Sequence, residues 1–169
     1  MSGIIKLLED SRDEFIAAAH SVPAAHSQNK PGEGRWSVAD CVEHMAIAER
    51  LTLRRLQNPE PEPAPPVNKD KEAMFTQKLH ERTTRVDAPE AAQPKGRYAT
   101  LDEAVADFQA ARERTVAFAK EQGAEVYKIS AKHPFFGPLN GSELLHLMAA
   151  HSRRHAAQIR EIKEQLAGA

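Results

Sequence analysis

The segment His151-Ser-Arg-Arg-His155 sets two imidazoles one helical turn apart. They fall in a run with apolar residues at Leu144, Met148, Ile159, Ile162 and Leu166, spaced by threes and fours. That is the rhythm of a helix burying one stripe. Histidine occupies two positions where the stripe calls for leucine or isoleucine. Burying a polar ring without a partner costs a few kcal/mol, so something must satisfy both rings. A shared metal ion does so for i,i+4 histidines, whose side chains converge on one point. Hydrogen bonds to carbonyls or carboxylates are the alternative, and the Glu of the zinc metalloprotease motif is missing.

A third histidine, His44, falls on the apolar stripe of an earlier helix, with Cys41, Ala48 and Leu51 on the same face. If the two helices are neighbours, His44, His151 and His155 can form a three-histidine site. Three neutral imidazoles with one open position is the arrangement of a catalytic divalent metal, whereas structural zinc normally takes four protein ligands. His133 and His146 lie off the stripes and should be dispensable for metal binding. Asp40, one turn before His44, reads better as a helix cap than as a base. Gln158 reads equally as a residue orienting a ligand or as an internal helix hydrogen bond. Arg153 and Arg154 could hold a substrate carboxylate but read better as solvated surface. Cys41 reads as a small buried hydrophobe, and Trp36 as an aromatic stapling a helix start. Glu143 and His146 form a single Glu-x-x-His, short of the two that a di-iron bundle requires.

The elements that must position these residues are helical. Ser37 with Asp40, Thr100 with Glu103, and Asn140 with Glu143 carry capping-box spacing, the first in a weaker form. A further helix is supported by Ile5, Leu8, Phe15 and Ala19 ahead of Pro23, and Gly123 is placed to stop the third. Four amphipathic helices predict an all-α four-helix bundle in a single domain, residues 1–169. No stretch alternates well enough to predict a sheet. Between the second and third helices, Asn58 to Pro66 is too rich in proline to be helical. A short helix through Met74, Phe75 and Leu79 follows, then loop at Pro89 and Pro94. So long a crossover lets the second and third helices lie parallel.

Composition narrows the function classes. The 169 residues are 41% hydrophobic with a formal net charge of −1, which gives no electrostatic case for nucleic acid or an anionic membrane. One cysteine excludes an internal disulfide and a Cys-rich zinc knuckle. The acidic, weakly apolar start does not read as a signal peptide, and no apolar run reaches membrane-spanning length. The cytoplasm is the expected location, and a homodimer is compatible with the chain.

The chain resembles the DinB-like superfamily, in its second large branch. The likeness runs through Gly34-Arg-Trp-Ser37 with Val42-Glu-His44, then Ala88-Pro-Glu90 and Pro94. It continues through His133-Pro-Phe-Phe-Gly-Pro138 and closes on His151-Ser-Arg-Arg-His155-Ala-Ala-Gln-Ile159. The resemblance implies a four-helix bundle with His44, His151 and His155 holding zinc, nickel or a similar ion. It also implies a thiol S-transferase or isomerase using mycothiol, bacillithiol or glutathione, or a metal-dependent hydrolase. On that reading the partners are a small-molecule thiol and an electrophile. The competing expectation is a non-catalytic, stress-related binding protein with a structural or vestigial metal. Fold alone does not choose between them. Phe135 and Phe136, apolar residues in a loop, either plug the bundle core or border the substrate path together with the proline-rich crossover.

Overall fold

The computed structural model describes residues 2–79, 81–82 and 87–168. Four long helices form the bundle: α1 (Ser2–His20), α2 (Val38–Gln57), α4 (Leu101–Gln122) and α5 (Gly141–Ala167). A short α3 (Lys69–Lys78) lies within the crossover and packs against α5. The predicted starts are all closed by reciprocal capping boxes. Ser37, Thr100 and Asn140 each accept the N–H three residues on, and Asp40, Glu103 and Glu143 reach back to the cap. The Ser37 box is therefore complete, with Asp40 serving as the cap partner.

The expectation of no sheet is corrected by a small antiparallel hairpin, β1 (Ser130–His133) with β2 (Gly137–Asn140). Its strands hold four residues each, too few to show alternation, and Pro138 obscures the second. The connection Pro134-Phe-Phe ends on Gly137 at φ +67°, a left-handed conformation that glycine adopts without strain. The hairpin leads straight into α5. There Gly141 is required by close approach, since a Cβ at that position would lie 2.5 Å from the Val126 carbonyl oxygen.

Chain direction follows from which residues meet. Glu43 reaches the backbone just ahead of α4, while Glu49 reaches Arg112 in its middle, so α2 and α4 run parallel. Ile4 and Leu8 pack with Leu144 and Met148, while Phe15 and Ala19 pack with Ile159 and Ile162. The first and last helices are therefore parallel as well. The long crossover makes this arrangement possible, because parallel neighbours cannot be joined by a short turn.

At mid-height the core is polar. Arg112 is fully buried and grips Glu49 with two bonds of 2.6 and 3.0 Å. Its remaining N–H groups go to the Leu8 carbonyl and Ser11 Oγ, both at 2.9 Å, and to Ser152 Oγ. One side chain thus ties all four long helices together. A buried guanidinium is tolerated when its donors are paired in this way.

Candidate metal centre and cavity

The stripe on α5 brings His151 and His155 to the same side, and α2 supplies His44 opposite them. The Nε2 atom of His151 lies 3.3 Å from that of His44 and 3.0 Å from that of His155. All three ligand atoms fall within 4.8 Å of one another. A tetrahedral ion with metal–nitrogen bonds of about 2.0–2.1 Å sets neighbouring nitrogens about 3.3–3.4 Å apart. The spacing suits one small divalent cation.

Proton counting supports the same conclusion. His44 donates Nδ1–H to the Ala92 carbonyl at 2.8 Å, a partner that can only accept. His155 donates Nδ1–H to Gln158 Oε1 at 2.9 Å, and Arg82 donates to that same oxygen at 3.2 Å, which fixes the amide's orientation. Both Nε2 atoms are therefore bare lone pairs in the neutral rings. His151 Nε2 can offer a hydrogen to one of them at a time, so at least one lone pair is left facing a nitrogen. A cation satisfies the whole set. Burial holds all three rings below the ordinary histidine pKa, with mutual repulsion adding to it at His151 and His155. Neutral imidazole is the form that ligates.

Other groups orient the ligands. Glu43, buried on α2, accepts the backbone N–H groups of Lys95, Gly96 and Arg97 at the end of the crossover, at 2.8, 2.9 and 3.1 Å. It holds the loop that follows Ala92, and so the carbonyl that orients His44. Trp36 lies 4.9 Å from His44 and nearly parallel to His155 at 6.0 Å, closing one side of the cluster. Its role is wider than a helix staple. Cys41 stays out of the cluster as a buried hydrophobe, its thiol pKa raised by burial. His146 donates to the Ser142 carbonyl at 2.8 Å, and Glu143 closes its cap and pairs with Lys71.

The histidines form one end of a cavity of about 530 Å³. Its apolar wall includes Leu51, Leu144, Leu147 and Met148, and the hairpin contributes His133, Phe135 and Phe136. Phe136 packs edge-on against the buried Phe75, which ties it to the core, while Phe135 is 61% exposed. His133 Nδ1 accepts the Phe135 N–H at 3.1 Å, and burial with nearby Arg55 pushes its pKa down to about 4. The reading of Arg153 and Arg154 as solvated surface is corrected. Arg153 pairs with Glu14 at 3.3 Å, and Arg154 lines the cavity and donates to the Glu81 carbonyl at 2.6 Å. Both sit on the half-buried flanks of α5, covered by α1 and by the crossover.

Residues 7–159 match the DinB superfamily. The chain belongs to that superfamily. It is 22% identical over 137 residues to YuaE of Bacillus subtilis strain 168, an uncharacterized protein, covering 81% of this chain and 83% of that one. YfiT from Bacillus subtilis, described as a probable metal-dependent hydrolase with an unusual four-helix bundle topology, shares the fold. Its TM-score is 0.62 at 16% identity, over 98% of this chain and 87% of that one. TT2238, a four-helix bundle protein, aligns with a TM-score of 0.57 at 21% identity, over 95% and 98% of the two chains. A conserved protein from Enterococcus faecalis reaches 0.67 at 15% identity, over 99% and 97%. These likenesses carry the fold. Among the described residues, no helix is long and apolar enough to cross a membrane.

Proposed function

We propose that this DinB superfamily protein is a divalent-metal-dependent enzyme whose ion, zinc or nickel, is held by His44, His151 and His155. Its reaction is the transfer of a low-molecular-weight thiol to an electrophile, with hydrolysis as the close variant. The observation that carries the reading is the convergence of three Nε2 atoms at one end of a cavity large enough for a small molecule. A divalent ion so placed supplies Lewis acidity at an open position, lowering the pKa of a thiol or water that binds there.

The chain's own residues prepare the rest. Ala92 and Gln158 lock the tautomers of His44 and His155, so the rings present lone pairs without rearranging. Trp36 and the apolar wall exclude water from one side of the reacting groups. Among the described residues no carboxylate joins the three histidines. Hydrolysis asks for a nearby group to accept a proton from water, whereas a thiol ionises more readily on its own, so this favours the thiol. The description of YfiT supports the hydrolytic variant.

The test is metal analysis of purified wild-type protein and His151→Ala, followed by turnover of an aryl halide with cysteine, glutathione and coenzyme A, and of an aryl ester without thiol. Metal-dependent conjugation that His151→Ala abolishes is expected. Absence of bound metal, or conjugation unchanged in His151→Ala, would overturn the reading. Ester hydrolysis without conjugation would select the variant.

A further inference from the structure

The cavity has a second end. Along α2 the side chains facing it run from His44 through Ala48, Leu51 and Thr52 to Arg55. His44 and Arg55 are separated by about 16 Å of helix axis at 1.5 Å per residue. The α5 side runs in the opposite sense, from His151 through Met148 and Leu147 to Leu144, so the middle of the cavity is apolar. β1 meets α2 and sets His133 in the wall between the two ends, close enough for its charge to be felt by His151 and for Arg55 to act on it.

Arg55 is half-buried in this wall and, among the described residues, has no hydrogen-bond or ion-pair partner. The acidic residues lining the cavity, Glu81 and Asp87, belong to the crossover, where Arg154 meets the Glu81 carbonyl. His133 faces Arg55 with a fixed tautomer. Its Nδ1 accepts the Phe135 N–H, so its proton resides on Nε2 and the ring is a further donor. Arg55 is thus a permanent cation in a partly desolvated wall, with no acidic side chain paired to it among the described residues and His133 as a neighbouring donor. A guanidinium matches a carboxylate in shape as well as charge.

We propose that Arg55, with His133 beside it, is the anion-binding end of the cavity, and that the small molecule handled here is elongated, with its reactive group at the histidines and a carboxylate at Arg55. This deepens the enzyme reading and rests on it for the reactive end. Arg55 is a specificity-determining residue on this account. Its contribution is to select carboxylate-ended ligands of sufficient length.

Binding to zinc-loaded protein, followed by the fluorescence of Trp36 in the cavity wall, tests this. The probes are 8-mercaptooctanoate against 8-mercaptooctanol, octanoate against octanol, and mercaptoacetate as a thiol acid too short to span. Wild-type protein should prefer each long carboxylate over its alcohol by about tenfold, the scale of a charge-assisted hydrogen bond. Arg55→Gln should erase that preference while leaving metal content, alcohol binding and mercaptoacetate binding unchanged. Arg55→Lys should keep part of it, which guards against a folding defect in the first variant. Equal binding of acid and alcohol by wild-type protein would overturn the proposal. So would a preference that survives Arg55→Gln, or a loss that extends equally to mercaptoacetate. If the protein holds neither zinc nor nickel, the enzyme reading fails, and octanoate against octanol still decides the role of Arg55.

Discussion

Gln158 accepts the Nδ1 hydrogen of His155 at 2.9 Å from one turn further along the same helix. This bond fixes which ring nitrogen is free. Replacing Gln158 with Leu should weaken metal binding by roughly 10–100-fold, the usual effect of losing a partner behind a ligating histidine. Competition against a chelator of known affinity measures it. An unchanged affinity would show that packing alone orients the ring.

Single alanine substitutions should separate ligands from bystanders. His44→Ala, His151→Ala and His155→Ala should each abolish stoichiometric metal by elemental analysis. His146→Ala should retain it, because that ring is committed to the Ser142 carbonyl. His133→Ala should also retain it, since its ring lies on the hairpin and outside the cluster.

Stability should fall with acid in a defined direction. His44, His151 and His155 have folded-state pKa values below the unfolded value of about 6.5. The unfolded chain therefore binds more protons as pH drops through 6.5, and stability present above that point is lost towards the folded values. His133, at about 4, titrates in the same sense. Thermal melts should show a falling Tm between about pH 6.5 and 4. Chelation should lower Tm at neutral pH and matter little at the acid end, where protons already displace the metal.

The Arg112–Glu49 pair should be costly to break and cheaper to replace. Arg112→Met leaves a buried carboxylate without its partner, a loss of about 3–5 kcal/mol. Adding Glu49→Leu should recover much of it, and denaturant unfolding of the four species in this cycle measures the coupling.

The two hairpin phenylalanines should behave differently. Phe136→Ala removes an edge contact with Phe75 and should lower stability. Phe135→Ala, at a mostly exposed position, should leave Tm and metal content unchanged while weakening ligand binding at the cavity. Shortening Pro59–Pro66 should cost little stability, since those residues are exposed or half-buried. Loss of metal in any of these variants would make the loops structural.

The helices and the convergence of the three histidines were legible because they are periodic. Capping boxes mark starts, and a polar ring inside an apolar stripe stands out. The Arg112 network was hidden by the same logic. Its position continues the stripe from Val105 through Phe108 to Thr115, but a charged side chain there reads as a gap until its partners are known. Glu43 was equally opaque, since its role is to hold a loop more than fifty residues away. The cavity wall depends on α3 and the crossover, whose placement comes from contacts across the fold. The hairpin was too short for any alternation to register.

The parallel pairing of first and last helices also fixes when the centre can exist during synthesis. His44 and His151 are 107 positions apart in the chain, and α1 finds its parallel partner only when α5 has been made. A nascent chain released as far as α4 has one of the three histidines and an incomplete core. An ion held by the three histidines, as proposed, can be captured only after α5 has emerged. Such an ion would be a clasp across a very long loop, tying α2 to α5 over more than a hundred residues of chain.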